Sequence, residues 1–539
     1  MWAGVYFRTL RHLRPVQIIG RLGTYLPERP VRIRPTPPLR EGRGSWTAPA
    51  ARRPSLIGPR DYMLLNARGS LAEDGWDNPD RPLLWRYNLH YFDDLTASEA
   101  PRRAAWHRAL IAEWIAANRP DSGTGWQPYP LSLRIVNWIK WALAGNDLGN
   151  EALHSLAHQA RALERKIEWH LLGNHLFSNG KALVFAGLFF GGKEGERWLD
   201  RGAHILERQL PEQFLPDGAQ FELSPMYHAL AVEDLLDLAN MLAAFGYPRI
   251  AWLNDAIRRH IRPALDWLAA LSHPDQGVAF FNDAAFGIAP TLSELVAYAS
   301  RLGFAPPAAP PSPWLGESGY ARLANDRATL FLDLARVGPD HLPGHAHADT
   351  LSLEFSFGAS RIIVNSGTSI YALGTERQRQ RGTRAHSTVT VDDENSSETW
   401  AAFRVGRRAV PFDTYARAGG DRLEAGGAHD GYRHLGTRAV HRRRVTLGEH
   451  GLTVEDSVTP DTPAEARFHL HPAVRISIEG PGRGLLFPPE GGPIRWNAQA
   501  AAVRVEASSY HPEFGVSLPS SCLSLTLGGG CSTLSLEWD

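Results

Sequence analysis

A proline- and alanine-rich stretch divides this 539-residue chain into two parts that differ in their hydrophobic period. Before FAPPAAPPSPW (residues 304–314), apolar residues recur at three- and four-residue spacing, which is typical of amphipathic helices. After it, runs such as LSLEFSF alternate with a period of two, which indicates strands separated by Gly, Asp and Pro turns. The change predicts an all-helical domain followed by an all-β domain.

Three domains are expected from this organisation. Residues 81–310 contain about eight helical patterns joined by short loops, for example RAAWHRALIAEWIAAN (103–118), which predicts paired helices in a curved or toroidal array. Residues 311–539 read as an antiparallel β-sandwich. Residues 1–80 are expected to form an N-terminal arm and linker, because the Pro-, Arg- and Gly-rich stretch 28–60 has no periodicity.

The charge balance and the hydropathy exclude several kinds of partner. The chain carries 57 basic and 57 acidic residues, so it has no overall attraction to nucleic acid or to an anionic membrane. No window reaches the roughly 18 apolar residues of a membrane helix, and Arg8, Arg11 and Arg14 interrupt any apolar run of a secretory signal. We expect no nucleic-acid partner, no membrane insertion and a cytoplasmic location by default, with the periplasm or secretion as the alternative.

Two histidines and an aspartate stand at two-residue spacing in PGHAHADTLSLEFSF (343–357). In an extended segment, side chains two apart share a face, so His345, His347 and Asp349 would project together. A histidine pair at this spacing can bind zinc, or can divide into one ligand and one proton carrier. Solvated loop histidines are the alternative for this stretch taken alone.

A third histidine strengthens the case for a site. His386 stands at the entrance of another alternating strand, and Asn365 follows the strand between the two histidine motifs. Adjacent antiparallel strands would bring His347, Asn365 and His386 to one end of the sheet. Two imidazoles and an amide oxygen make a poor zinc site, and Asp349 is the nearby acid that could replace the missing anionic ligand.

Two polar segments interrupt the apolar helical half. They are LLGNHLFSNGKAL, with Asn174, His175 and Asn179, and LPDGAQFELSPMYHAL, with Gln220, Glu222, Tyr227 and His228. Each lies at the expected start of a helix, where the loops of a toroid gather around a central cleft. Ser224 before Pro225 is typical of a helix N-cap, but capping does not explain the Asn–His pair, the tyrosine or His228.

Four motifs in this order and spacing resemble the heparinase II/III-like polysaccharide lyases and their alginate-lyase relatives. The motifs are NHLFSNGKAL, DGAQFELSPMYH, GHAHADTLSLEF and RAHSTVTVDD, and the resemblance runs from about residue 81 to about residue 450. It implies an incomplete (α/α) toroid followed by an antiparallel β-sandwich, in agreement with the periodicity. It also implies β-elimination at a uronic acid, so an acidic polysaccharide is the expected partner.

The chemistry of β-elimination accounts for the residue types in these motifs. The proton at C5 is weakly acidic, so the adjacent carboxylate must be neutralised while a base removes that proton and an acid protonates the departing O4. By the resemblance, Asn174 and His175 fall where the family neutralises the carboxylate or handles the proton. Tyr227 falls on the family's acid/base tyrosine and His345 on its interdomain histidine.

The resemblance also implies a cofactor, a structural zinc ion. His347, Asn365 and His386 fall on the positions that hold zinc in some members of the family. Asn365 stands where metal-binding members have aspartate, and Ser387 stands where relatives often have asparagine. The first departure removes the anionic ligand, whereas neither departure touches the acid/base set.

Further residues are expected to line the cleft and bind the substrate. Arginine can bind carboxylate or sulfate bidentately, and tryptophan can stack on sugar faces. The candidates are Arg86, Asn88, Trp126, Arg134, Asn179, Glu222 and His228. The basic segment RQRQRGTR (377–384) could contact a polyanion from the β-domain, with a solvated loop as the alternative.

Two other functions fit the sequence as alternatives to a lyase. A glycoside hydrolase on a toroid scaffold would need two carboxylates facing each other across the cleft, and Glu222 and Asp283 are the candidates. A glycan-binding or exopolysaccharide-assembly protein would keep the scaffold without the chemistry. The missing aspartate ligand favours that third function, whereas the intact His175, Tyr227 and His345 favour a lyase.

Overall fold

The computed structural model describes residues 2–25 and 31–539, so residues 1 and 26–30 of the predicted arm and linker lie outside the described residues. The α-helices of the described part are α1 (Trp2–Leu10), α2 (Pro15–Gly23), α3 (Leu71–Asp74), α4 (Leu83–Tyr91), α5 (Ala104–Ala117), α6 (Pro128–Leu143), α7 (Gly149–Arg165), α8 (Gly173–Phe189), α9 (Gly192–Gln213), α10 (Pro225–Phe245), α11 (Ala251–Ala270), α12 (Leu292–Arg301) and α13 (Thr375–Arg381).

Helices α4 to α12 form the incomplete (α/α) toroid. Helix α8 lies at its centre, buried along almost its whole length, and packs against α6, α9 and α10. Trp114, Trp138 and Trp198 are fully buried in the same continuous core. The helices that flank the site therefore start from a rigid apolar base, which fixes the direction of the side chains in their first turns.

The segment before the toroid is more structured than a linker. Residues 31–60 run extended over the helices, where the amide of Arg40 donates to Phe189 O (2.9 Å) and the amide of Gly44 donates to Ala244 O (2.8 Å). Strands β1 (Asp61–Leu64) and β2 (Ala67–Ser70) then form a hairpin. The two residues between these strands both have positive φ, which is the conformation of a two-residue hairpin turn.

The remaining strands belong to the second half of the chain. They are β3 (Trp314–Leu315), β4 (Tyr320–Ala324), β5 (Ala328–Asp333), β6 (Leu353–Phe357), β7 (Ser360–Val364), β8 (Val389–Val391), β9 (Thr399–Trp400), β10 (Arg404–Val405), β11 (Pro411–Gly419), β12 (Arg422–His429), β13 (Val440–Leu447), β14 (Gly451–Thr459), β15 (Ala464–Leu470), β16 (Arg475–Gly480), β17 (Arg483–Phe487), β18 (Ile494–Gln499), β19 (Ala502–Tyr510), β20 (Leu518–Thr526) and β21 (Cys531–Glu537).

These strands build an antiparallel β-sandwich. One sheet has the order β11-β12-β13-β14-β21-β18-β17-β16, and the other has the order β19-β20-β15-β7-β6-β5-β4-β3, with β8 beside β15. Phe355, Val445 and Leu534 belong to the single apolar cluster that both sheets contribute to. The predicted fold class, an incomplete (α/α) toroid followed by an antiparallel β-sandwich, is confirmed.

The junction of the two halves falls around the proline-rich stretch. The last toroid helix, α12, ends at Arg301, and the first strand of the sandwich begins at Trp314. Within the described part of the chain, no helix combines the length and the apolar character needed to cross a bilayer.

Candidate active site

Four residues predicted to be catalytic lie where the toroid meets the sandwich. Asn174 and His175 occupy the first turn of α8, Tyr227 occupies the first turn of α10, and His345 lies in the loop between β5 and β6. Asn174 Nδ2 is 3.5 Å from His345 Nε2, and the ring centroids of Tyr227 and His345 are 3.8 Å apart. The sandwich therefore contributes one side chain to a group that the toroid otherwise supplies.

The backbone before α8 adopts an unusual conformation that sets the direction of Asn174. Leu172 has φ 62° and ψ −153°, a region that glycine normally occupies, and Gly173 follows with φ 54°. A Cβ atom on Gly173 would lie 2.8 Å from Glu222 Oε1, so this close approach requires glycine. This close approach lets the backbone amide of Asn174 donate to Glu222 Oε1 at 2.9 Å.

Tyr227 is placed by the cap of its helix. Ser224 accepts a hydrogen bond from the amide of Tyr227 at 3.2 Å, which confirms the predicted N-cap. The Tyr227 hydroxyl lies 3.1 Å from the hydroxyl of Tyr371. Burial and then the neighbouring Tyr371 raise the pKa of Tyr227 well above its ordinary value, so the phenol is neutral at neutral pH and can donate a proton.

His345 lies between two buried carboxylates. Its Nδ1–H donates to Asp283 Oδ2 at 3.0 Å, and its Nε2 lies 3.5 Å from Glu222 Oε2. Glu222 also accepts from Asn174 Nδ2 at 3.0 Å. Asp283 and Glu222 orient the His345 imidazole and the Asn174 amide through these contacts. Both carboxyl groups are buried, so neither faces the open cleft.

Asp283 is the centre of a buried ion pair between the domains. Arg377 Nη2 donates to Asp283 Oδ2 at 2.8 Å, and His347 Nε2–H donates to Oδ1 at 2.8 Å. Burial alone would raise the pKa of Asp283, but the Arg377 guanidinium and the histidine hydrogen bonds outweigh it and hold the pKa well below its ordinary value. Asp283 follows α11 of the toroid, so this pair joins it to α13 of the sandwich half.

The basic segment 377–384 is not the solvated loop that was one of its two predicted forms, whereas polyanion contact by its exposed arginines, Arg379 and Arg384, stays a prediction. It contributes to α13, and Arg377, Gln380 and Arg381 are fully buried at i, i+3 and i+4. Arg381 donates to the backbone oxygen of Ala346 at 2.8 Å, whereas Arg379 is exposed. The spacing of the buried residues was the available signal, because i, i+3 and i+4 share one face of a helix.

His175 is partly exposed, with 30% of its side chain accessible to solvent. Its Nδ1 lies 3.0 Å from Glu168 Oε1, and its ring packs against Tyr129 at 4.4 Å between centroids. Burial alone would lower the pKa of His175, but Glu168 outweighs it and raises the pKa above the ordinary value. The imidazolium form is thereby favoured at the surface of the cleft.

Four of the predicted substrate-binding residues lie inside the helical core instead of at the cleft. Arg134 is fully buried, donates to two backbone carbonyls and stacks on Trp114 at 3.8 Å. Trp126 is 3% exposed and belongs to the same aromatic group. His228 and Asn179 are fully buried, and Asn179 holds Glu168 in place. Direct substrate contact by these four residues is not supported, because their side chains are buried in the helical core.

The other three predicted substrate-binding residues have protein partners as well. Arg86 Nη1 donates to Asp77 Oδ1 at 2.9 Å, and Asn88 Nδ2 donates to Leu84 O at 2.8 Å. Both side chains are half-buried, so substrate contact by them stays a prediction. Glu222 is 2% exposed and acts through Asn174 and His345.

Sequence reasoning missed two members of the site and the pairing of two others. Glu168 and Tyr371 have no motif of their own and lie in the segments just before α8 and before α13. Asp283 and Arg377 were each noted, but nothing in a single sequence links two residues so far apart. A weak signal existed for Tyr371, which closes the SGTSIY turn after Asn365.

His347, Asp349 and His386, which are buried in the sandwich half beside the candidate site, could together hold a metal ion. His347 Nδ1 and His386 Nε2 are 3.2 Å apart, and ligand atoms of His347, Asp349 and His386 all lie within 4.8 Å of one another. Two imidazoles and one carboxylate match the ligands that zinc prefers. Asp349 supplies the third donor of this group, and metal binding by Asn365, whose Oδ1 accepts from the amide of Ser387 at 3.0 Å, stays a prediction.

The carboxyl group of Asp349 is in a position where a cation would stabilise its charge. Burial raises the pKa of Asp349, and burial together with Asp349 raises the pKa of the neighbouring Asp333 well above its ordinary value. Burial and mutual repulsion disfavour the charged forms of these carboxyl groups, so a proton or a cation beside Asp349 is favourable there. The residues present therefore fit a divalent metal.

An (α/α) toroid packed on a β-sandwich, with Asn, His and Tyr side chains at the junction, places this protein in the class of toroid polysaccharide-lyase folds. Sequence models of the family match residues 104–300 as the heparinase II/III N-terminus and residues 307–529 as the heparinase II/III-like C-terminal domain. Both halves are thus covered. The chain belongs to the heparinase II/III-like family.

Individual relatives fall into two groups. The chain is 28% identical over 488 residues to FtsZ-localized protein C of Caulobacter vibrioides, a match that covers 82% of this chain and 79% of that protein. It is 26% identical over 248 residues to a heparin-sulfate lyase of Bacteroides stercoris, which covers 42% of this chain and 37% of that protein. Similarity to the lyase is therefore confined to less than half of either chain.

Solved structures with the same fold include two lyases. The structure of heparinase III aligns with a TM-score of 0.67 at 18% identity, covering 87% of this chain and 80% of that chain. Heparan sulfate lyase HepC from Pedobacter heparinus aligns with a TM-score of 0.55 at 17% identity, covering 88% and 79%. At these identities the likeness establishes the fold.

Proposed function

We propose that this protein is a polysaccharide lyase that cleaves a uronic-acid-containing polysaccharide by β-elimination. The observation that carries the proposal is the contact of Asn174 and Tyr227 from the toroid with His345 from the sandwich. This group combines an amide, a neutral phenol and an imidazole, which are the groups that the elimination needs. Membership of the heparinase II/III-like family supports the same chemistry.

The contacts suggest a role for each residue. Because His345 Nδ1–H is held by Asp283, its Nε2 carries the lone pair and takes the proton from C5. Tyr227 donates its phenolic proton to O4 while the C4–O4 bond breaks and the C4–C5 double bond forms. Asn174 and the His175 imidazolium bind the carboxylate of the uronate and stabilise the negative charge that develops there.

The same contacts argue against a glycoside hydrolase. A hydrolase requires two carboxyl groups that reach the substrate from opposite sides of the scissile bond. Asp283 is fully buried in its ion pair with Arg377, and Glu222 is tied to Asn174. Neither carboxyl group is available to a sugar.

The direct test is incubation of the protein with a panel of uronate polysaccharides while near-UV absorbance and reducing ends are both recorded. A lyase gives unsaturated products that absorb, together with new reducing ends. New reducing ends without absorbance would indicate a hydrolase and contradict the proposal. A protein that binds the glycans and produces neither signal would indicate a binding function.

Glu168→Gln is expected to shift the alkaline limb of the pH–activity profile to lower pH. Glu168 outweighs the effect of burial and raises the pKa of His175, so without it burial lowers that pKa. The protonated imidazole is lost as pH rises through its pKa, so the variant loses carboxylate binding at a lower pH than the wild type. Profiles of kcat/KM against pH measure the shift. Glu164→Gln, which alters an ion pair with the half-exposed Arg197, is the matched control, and an unchanged Glu168→Gln profile would contradict the role of His175.

We also propose that His347, Asp349 and His386 hold a structural zinc ion. Bound there, the ion would supply positive charge to the buried carboxyl groups and brace the loop that carries His345. Zinc content after dialysis is expected to be about one ion per chain and to fall to the background in His386→Ala. His204→Ala, a change at an exposed histidine, should keep the metal. A wild-type protein without zinc would contradict the proposal.

A second candidate function is a non-enzymatic role on the same scaffold. It is favoured by one observation, the similarity to FtsZ-localized protein C over 82% of this chain. In that role the cleft would bind a glycan without cleaving it, and the protein would associate with FtsZ. Co-sedimentation with FtsZ filaments, combined with the absence of unsaturated products, would support this candidate over the lyase.

A further inference from the structure

The first two helices expose an unusual amount of apolar surface. Residues 6–25 carry eight of the nineteen large hydrophobic side chains that are exposed in the described part of the chain. Phe7 is 68% exposed, Ile19 is 69% exposed and Tyr25 is 79% exposed. Single exposed apolar residues are normal on a protein surface, but a dense group of them indicates a binding surface.

Helix α1 faces the protein with its polar side. Arg8 Nε donates to Glu398 Oε2 at 2.8 Å, and Thr9 Oγ1 accepts from Trp400 Nε1 at 3.0 Å. The opposite side of the helix carries Phe7 and Leu10, which are 68% and 50% exposed, whereas the ring of Tyr6 packs against Trp400. An ordinary surface helix has the reverse arrangement, with its apolar side on the core.

Helix α2 shows the same inverted arrangement. Gln17 is buried and donates from Nε2 to His341 O at 3.1 Å. A Cβ on Gly20 would lie 2.9 Å from His170 N, so this side of the helix approaches the protein backbone closely. Ile18, Ile19 and Leu22 occupy the other side and are exposed. The polar contacts hold both helices in an orientation that directs their apolar sides outward.

The charge of the same segment indicates what could cover these sides. Residues 1–25 contain four arginines and no aspartate or glutamate. Arg11 and Arg21 are exposed beside the apolar residues. A second copy of the chain would bring these arginines against each other, which is unfavourable, whereas anionic headgroups would complement them. Exposed apolar side chains flanked by arginine are the arrangement of helices that lie in a membrane interface.

We propose that α1 and α2 form a docking surface for an anionic lipid bilayer, with the helices lying in the plane of the interface. Phe7, Leu10, Ile18, Ile19 and Leu22 enter the boundary between headgroups and acyl chains. Arg11 and Arg21 contact the lipid phosphates. The surface is peripheral, since nine-residue helices are too short to span a bilayer.

The test is co-sedimentation of the 539-residue chain with vesicles of phosphatidylcholine alone or of phosphatidylcholine mixed with phosphatidylglycerol. The wild type is expected to bind the anionic vesicles at least about tenfold more tightly than the neutral ones. The triple variant Ile18→Glu/Ile19→Glu/Leu22→Glu should lose this binding by at least about tenfold. Its melting temperature should stay unchanged, because the three side chains are exposed.

Two further variants separate the causes. Ile478→Glu makes one substitution of the same kind at a 63% exposed position on β16 and should bind vesicles like the wild type. Arg11→Gln/Arg21→Gln should reduce the preference for anionic vesicles. Failure of the wild type to bind anionic vesicles would overturn the proposal, and so would undiminished binding by the triple variant. A dimer in analytical ultracentrifugation that only the triple variant abolishes, without vesicle binding, would assign the surface to a second copy instead.

Discussion

Tyr227→Phe is expected to lower the proposed lyase activity by about 100- to 10,000-fold, because it removes the phenol that the proposed mechanism uses to protonate the leaving oxygen. The phenol is neutral at neutral pH, and its ring lies 3.8 Å from the ring of the proposed base His345, measured between centroids. Phenylalanine keeps the ring and its packing. The change should therefore reduce kcat with little effect on KM or on the melting temperature. Absorbance of the unsaturated product measures the loss.

Two tyrosine variants serve as controls for this result. Tyr371→Phe removes only the hydrogen-bond partner of Tyr227 at 3.1 Å and should cost about tenfold or less. Tyr247→Phe removes a hydroxyl that bonds to Glu196, beyond the far end of α10, and should leave activity unchanged. Equal activity of Tyr227→Phe and Tyr247→Phe would contradict the assignment of Tyr227 as the acid.

Asp283→Asn is expected to destabilise the protein by about 3–5 kcal/mol, because it leaves the buried Arg377 guanidinium without its counter-charge. Asparagine has nearly the same shape as aspartate, so the effect reports the charge and not a cavity. The pKa of Asp283 is depressed in the folded state, so its stabilisation is complete at neutral pH and is lost only as pH falls below the ordinary carboxyl range. Urea denaturation at pH 7 is the suitable measurement.

An exposed ion pair supplies the matched comparison. Glu99→Gln removes the same kind of charge from a pair with Arg102 whose two side chains are 61% and 78% exposed, and it should cost about 0–1 kcal/mol. Adding Arg377→Met to Asp283→Asn should restore part of the stability, since the unpaired cation is then absent. If Asp283→Asn were as mild as Glu99→Gln, the buried pair would not hold the domains together as inferred.

The architecture was predictable because it depends on local periodicity. The helices carry their apolar residues every three or four positions and the strands every second position, and the proline-rich stretch separates the two patterns. The helices α1 and α2 were not predicted. Their apolar residues do not face a core, and the arginines among them obscure the pattern.

Part of the candidate site was also predictable, since its residues fall in short motifs. Asn174, Tyr227 and His345 were named from the sequence, and the structure brings them together. The direction of a side chain was harder to predict. Arg134 and Trp126 have the chemistry of sugar-binding residues, yet tertiary packing buries both of them. Pairings between distant segments, such as Asp283 with Arg377, need the three-dimensional structure.

The ion pair between Asp283 and Arg377 has a consequence for how the two halves can be separated. Each half contributes one charge to a buried site, and His345 depends on a carboxylate that the other half supplies. A toroid expressed alone would keep Asp283 without its arginine partner, and a sandwich expressed alone would keep Arg377 without its aspartate partner. Splitting the gene or exchanging a domain at the proline-rich stretch would therefore separate His345 from Asp283 and disassemble the candidate site, even if both pieces folded.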